Sequence, residues 1–132
     1  MGLYSSHKTC VILDTNILIY SASKPLNIGR ALSVLGFSRI LVPSFVMDEL
    51  DSIGRNRDKR GKFARLAREI AKNFPMIDVT VEGTDVDEKI LHLAKSEGCA
   101  VATADSGLRR RLLSEGIPVV IMKRGGFLAF ET

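Results

Sequence analysis

The stretch Cys10-Val11-Ile12-Leu13-Asp14-Thr15-Asn16-Ile17-Leu18 runs four apolar residues into a carboxylate and then straight into a helical pattern. A short, unbroken apolar run bounded by polar residues reads as a strand buried on both faces, as in a parallel sheet. The spacing predicts a strand over 9–14 and a helix starting at Thr15 or Asn16 that carries Ile17, Leu18 and Tyr20. The same grammar recurs outward along the chain. A helical piece over 27–36 stops at Gly36. A strand over 39–42 is ended by Pro43, and Ser44 is placed to cap a helix through about Ile53. Gly54 and Gly61 bracket a polar, basic loop before a helix over 63–74 whose inner face is Phe63, Leu66, Ala67, Ile70 and Ala71. A strand over 76–81 and a helix over 85–97 follow, the helix opening on an Asp85/Glu88 capping box. Strand 100–103, helix 107–115 and strand 118–122 close the pattern, with Pro118 at the position where a strand tolerates it. Strands alternating with helices require right-handed crossovers and a parallel sheet, so the expected fold is α/β in three layers. The tail 125–130 fits either an edge strand or a dimer contact.

A chain of 132 residues is one domain's length, with 45% hydrophobic and 26% charged residues. The expected organisation is a single domain over 1–132, with a flexible tail over 1–8 and an extension over 123–132. No apolar stretch approaches the roughly 18 residues that a membrane span needs, and the N-terminus lacks the apolar core of a secretory signal. A cytoplasmic protein without membrane contact is expected. Cys10 and Cys99 both fall in buried strands and read as small core hydrophobes of a reducing compartment, with a cross-strand disulfide as the lesser alternative. Two cysteines and two scattered histidines, His7 and His92, make no zinc ligand set.

Four carboxylates stand where strands end or helices begin. Asp14 closes the first strand and Asp105 follows the fourth; Glu49 and Asp87 lie on the helices after the second and third strands. In open α/β sheets the functional crevice lies outside the carboxyl ends of the strands. Acids gathered there repel one another and stay ionised most readily when a cation joins them. Taken singly, Asp14 is equally a plain helix cap. Glu49 shares a helical face with Phe45, Val46 and Ile53, where a carboxylate wants a partner, either a metal or an unseen Arg or Lys. Asp87 shares a face with Ile90, Leu91 and Ala94 and points inward, whereas Asp85 is the cap. Thr103 is placed to orient a neighbouring carboxylate.

The net charge of +4 is concentrated in one segment. Arg55, Arg57, Lys59, Arg60, Lys62, Arg65, Arg68 and Lys72 face only Asp58 and Glu69 within the same stretch, leaving 11 basic and 13 acidic residues for the rest of the chain. Lys and Arg contacting phosphates supply most sequence-independent affinity for nucleic acid. The helical spacing of Arg65, Arg68 and Lys72 suits a solvated face; the loop 55–62 is harder to explain that way. Arg109, Arg110 and Arg111 follow Asp105 and could wall the other side of a cleft. With six phenylalanines and two tyrosines, several of them in core positions, no aromatic platform for stacking bases is evident.

In order and spacing, ILDTNIL, VPSFVMDEL, DVDEKILHLA and VATADSGLRRRL resemble a PIN-domain nuclease over about residues 9–122. The resemblance implies a five-stranded parallel sheet of order 3-2-1-4-5, which sets the ends of the first and fourth strands side by side. It carries over Asp14, Glu49, Asp87 and Asp105 as the acidic quartet, with Asn16 and Thr103 as polar supports. The implied chemistry is hydrolysis of RNA phosphodiesters with Mg²⁺ or Mn²⁺, hard cations that suit an all-oxygen donor set. Asp14 and Asp105 would hold the central ion, and Glu49 and Asp87 would complete its shell or steer the attacking water. The partners implied are RNA and, by branch, a ribosome-assembly factor in rRNA processing or the antitoxin of a VapC-type toxin; a homodimer fits either. Two other classes compete. One is a non-catalytic RNA-binding or assembly protein. The other is a phospho-receiver, which lacks its expected acid pair at Leu13-Asp14 and has only Lys123 in its favour.

Overall fold

The computed structural model describes residues 9–24, 26–79 and 85–131. The tail 1–8 and the later part of the expected third strand lie outside these residues. Among the described residues, six strands form one sheet in the order β3-β2-β1-β4-β5-β6. They are β1 (Cys10–Leu13), β2 (Arg39–Pro43), β3 (Met76–Ile77), β4 (Ala100–Ala102), β5 (Val119–Lys123) and β6 (Phe127–Phe130). The first five run parallel, and β6 pairs antiparallel with β5 after a turn whose Gly125 and Gly126 both have positive φ. The tail is thus an edge strand. The connecting helices are α1 (Thr15–Ala22), α2 (Ile28–Val34), α3 (Ser44–Gly54), α4 (Lys59–Ala71), α5 (Val86–Glu97) and α6 (Ser106–Ser114).

Right-handed crossovers put helices on one face when the chain moves one way along the sheet and on the other when it moves back. From β1 to β3 the chain moves outward in one direction; α5 then carries it back across to β4, and α6 continues to β5. Accordingly α1, α3 and α4 pack together, and α5 packs with α6. The result is the expected three-layer arrangement. With both faces covered, β1 is sealed: Val11, Ile12 and Leu13 have no solvent exposure. The reversal falls between β1 and β4, so the crevice of this sheet lies at Asp14 and the residues after Ala102.

Several local expectations shift. Ser44 is the first helical residue of α3, not its cap; Pro43 occupies the cap position, and the Ser44 hydroxyl instead accepts the Val79 N–H at 3.0 Å. Helix α4 begins four residues before the expected start, because Asp58 caps it by accepting the Gly61 N–H at 2.8 Å. Its buried face is Gly61, Ala64, Ala67 and Ala71, and Leu66 is left 44% exposed. Small residues let α4 approach its neighbours closely, so the larger leucine turns outward. Asp85 caps α5 as expected, and α5 ends on left-handed Gly98.

Cys10 and Cys99 are joined in a disulfide, their Cα atoms 4.9 Å apart. The parallel register pairs Val11 with Ala100, which sets the two cysteines opposite each other at the start of β1 and β4. Register is a tertiary property, so the favoured reading as separate core thiols gives way to the bond. It closes a separation of 89 residues and should stabilise the fold by about 2–4 kcal/mol. Denaturant midpoints with and without reductant test this. Two thiols found by alkylation of the non-reduced, unfolded protein would sink it.

Candidate active site

Two residues build the centre of the site. Asp14 caps α1, its Oδ1 accepting the Ile17 N–H at 2.8 Å, and its backbone N–H donates to the Ala102 carbonyl at 3.2 Å. Asp105 caps α6, its Oδ1 accepting the Leu108 N–H at 2.9 Å. Between them stands Thr103, fully buried. Its hydroxyl donates to Asp14 Oδ2 and accepts the Asp105 N–H at 3.0 Å. One hydroxyl thus links the two carboxylate-bearing residues across adjacent strand ends. Thr103 is thus placed, as its position suggested, to hydrogen-bond a neighbouring carboxylate.

Asp14 is only 4% exposed. Burial pushes its carboxyl up to about 7, against the lowering effect of the Thr103 hydroxyl and the Ile17 N–H; the nearby charges of Asp105 and Asp87 raise it further. Asp87, half-buried in the first turn of α5, is also raised, by desolvation first and then by Asp105, Asp85 and Glu49, with Arg111 opposing. Asp14, Asp87 and Asp105 thus act on one another, and Glu49 joins this group through Asp87. Glu49 on α3 is half-buried and accepts the Thr15 hydroxyl. Its hydrogen-bond partner is thus a neutral hydroxyl, and among the described residues no basic side chain pairs with it. Thr15 is a plain neighbour of Asp14 in the sequence, but nothing there links it to Glu49.

Among the described residues, no three acids lie together closely enough to hold one ion between them. The donors are all carboxylate oxygens, and Asp14 and Glu49 each lean on a neutral hydroxyl. A full donor set around one ion would require the carboxylates to draw closer together than they stand here. Mutual repulsion among the carboxylates opposes their convergence until a cation offsets it. The donor chemistry fits a hard divalent ion.

The basic segment reaches this centre. Arg60 Nη2 lies 3.4 Å from Asn16 Oδ1, two residues beyond Asp14. Arg55, Arg57, Lys59, Arg60 and Lys62 are all exposed, and among the described residues none is in an ion pair. The later cations differ. Arg65 Nη1 donates to the carbonyls of Gly54 and Asn56 at 2.6 and 3.0 Å, Arg68 pairs with Asp51, and Lys72 pairs with Glu69 at 2.8 Å. They hold the arm together, and the turn 55–58 and the first turn of α4 keep the free charge. On the other side Arg109 lines a cavity with Asp105 and also sits 3.5 Å from Glu131; Arg110 is exposed, and Arg111 pairs with Glu88. His92 is exposed and takes no part.

Tyr20 and Lys24 also line the cleft beside Asn16. In the sequence Tyr20 reads with the apolar residues of α1. The signal that could find it is the helical face Asn16, Ile19, Tyr20, Ser23, which is distinct from the buried Ile17, Leu18 and Ser21.

Known proteins bear on this arrangement. A family model described as "PIN like domain" matches residues 11–125. Ribonuclease VapC9 of Archaeoglobus fulgidus is 31% identical over 115 residues, covering 86% of this chain and 83% of its own. Ribonuclease VapC4 of Methanocaldococcus jannaschii is 34% identical over 123 residues, covering 86% and 90%. Among solved structures, the PIN domain endonuclease Utp24 superposes with a TM-score of 0.78 at 25% identity, covering 92% of this chain and 90% of that one. With its strand order, its switch-point acids and these matches, the chain belongs to the PIN-like domain family.

Proposed function

We propose that this protein is a divalent-metal-dependent endoribonuclease, with Asp14, Glu49, Asp87 and Asp105 as its acidic site. The observation that supports it most is the Asp14–Thr103–Asp105 link at the ends of β1 and β4, with Arg60 reaching Asn16 beside it. In this reading Asp14 and Asp105 hold Mg²⁺ or Mn²⁺ from adjacent strand ends, and Asp87 and Glu49 supply the outer donors. Such an ion, when bound, makes water a better nucleophile and offsets charge on the phosphate. Thr103 keeps the Asp14 carboxylate oriented, and Asn16 steadies Arg60 at the rim. Arg55, Arg57, Lys59, Arg60 and Lys62 bind flanking phosphates on one side, and Arg109 and Arg110 on the other.

The test is incubation of the purified protein with a pool of structured RNAs in Mn²⁺, in Mg²⁺ or in EDTA. Internal cuts that need the metal are the expected result. RNA bound in a salt-sensitive way yet left uncut in both metals would favour a non-catalytic binding protein instead.

Of the two biological roles, rRNA processing and a toxin's, the second is favoured by the names of both relatives. A toxin would arrest growth when expressed alone and be silenced by a cognate antitoxin. Val34 and Phe127, 79% and 55% exposed around an apolar groove, offer a surface to such a partner or to a second copy. Expression without growth arrest would return the choice to rRNA processing.

A further inference from the structure

Tyr20 is 41% exposed and lies where three cavities meet. The largest, about 680 Å³, lies between the outer face of α1 (Asn16, Tyr20) and the start of α4 (Lys59, Arg60, Phe63), with Lys24 at its edge. That volume is within the range of pockets that hold small organic groups. The second, about 160 Å³, joins Tyr20 to Thr103, Asp105 and Arg109, and so belongs to the acidic centre. The third, about 360 Å³, leads from Tyr20 past Lys24 to Lys123 and Arg124. Apart from Asp105, the described residues lining these cavities include no acid. The surface is therefore a cationic track with one exposed aromatic ring at its centre, directly beside the proposed metal ligands.

An exposed tyrosine among lysines and arginines suits a polyanion that carries flat rings. Base–aromatic stacking accepts any base, because every base has a π-face. Lys24 Nζ already lies 5.6 Å from the Tyr20 ring centroid, a weak contact at an exposed site that leaves the flexible ammonium able to turn to a phosphate. We propose that Tyr20 stacks an unpaired base of the RNA next to the scissile phosphate, and that Lys24, Lys123 and Arg124 carry the strand away from the site. This rests on the ribonuclease reading and extends it. The substrate is then single-stranded or looped at the cut, and the track continues on the side opposite the basic start of α4.

The test compares two short strands of the same ribose-phosphate backbone, one bearing bases and one abasic. Their affinities are measured by fluorescence anisotropy in Ca²⁺ for wild type, Tyr20→Ala and Tyr20→Phe, with folding checked by circular dichroism. Wild type and Tyr20→Phe should prefer the base-bearing strand by about tenfold, and Tyr20→Ala should lose most of that preference while binding the abasic strand as wild type does. An unchanged preference in Tyr20→Ala overturns the stacking site and leaves this face to a protein partner. A wild type that binds and cuts RNA without any base preference overturns it too, yet keeps the nuclease. A wild type that neither binds nor cuts RNA removes both.

Discussion

Asp14→Asn is expected to abolish RNA cleavage while making the metal-free protein more stable, a combination that only an active-site carboxylate produces. Loss of one carboxylate from a site that offsets transition-state charge removes several kcal/mol, and each 1.36 kcal/mol is tenfold in rate, so the fall should reach about 10³-fold or more. The stability gain follows from linkage. The Asp14 carboxyl rises from 3.8 to about 7 on folding, chiefly through burial. Between those values the folded state binds the extra proton, so stability falls as pH rises from about 4 to about 7 and is level beyond. By linkage the penalty at pH 8 is about 4 kcal/mol at most. Asparagine removes it, caps α1 equally well and can keep a hydrogen bond to Thr103. Denaturant unfolding at pH 8 in EDTA should then show the variant more stable by about 2–4 kcal/mol. Mn²⁺ should raise the midpoint of wild type and leave that of the variant where it is. A variant that unfolds more easily than wild type at pH 8 would contradict the buried-charge account; one that still cuts RNA would contradict the role of Asp14.

Much of this site is legible in the amino-acid sequence, because its parts are local. Apolar runs of four or five residues ending in an acid mark strands whose carboxyl ends carry the chemistry. Asp14 is singled out by that sign, and Asp105 by following the fourth such run after Thr103 and Ala104. What escapes the sequence depends on distant partners or on small residues. The Thr15–Glu49 bond spans 34 positions and two elements. The disulfide depends on strand register. The inner face of α4 is misread because apolar weighting favours Leu66, whereas close helix packing selects Gly61, Ala64, Ala67 and Ala71. The start of the same helix is hidden for a related reason: Lys59-Arg60-Gly61-Lys62 has no apolar rhythm, and the Asp58 cap is its only local sign. Tyr20 is grouped with Ile17 and Leu18 on the first helix because an aromatic residue in an apolar segment looks like its neighbours until the helical phase is known.

Gly61→Ala sets two physical effects against each other and should therefore be decisive. On helix propensity alone, replacing a glycine inside α4 with alanine would stabilise by about 1 kcal/mol. The surroundings of Gly61 oppose this. A Cβ there would lie 2.0 Å from the Asn56 carbonyl oxygen and 2.8 Å from its carbon, both backbone atoms. That peptide is held from the other side as well, since Arg65 Nη1 donates to the carbonyls of both Gly54 and Asn56. The turn 55–58 must therefore move away from α4, straining the Asp58 cap on Gly61 N–H. Overpacking of this kind costs about 1–3 kcal/mol and sometimes more, enough to outweigh the propensity gain. The turn that moves carries Arg55 and Arg57, and the helix start it abuts carries Lys59, Arg60 and Lys62, the cations assigned to phosphate binding. Net destabilisation in denaturant unfolding should thus accompany RNA binding several-fold weaker than wild type at moderate salt, with a shallower salt dependence from the lost phosphate contacts. A variant more stable than wild type would mean that the glycine is there for nothing beyond its place in the helix, and that the basic loop is not braced against α4. A destabilised variant that binds RNA with an unchanged salt slope would separate the two roles and remove Arg55 and Arg57 from the phosphate track.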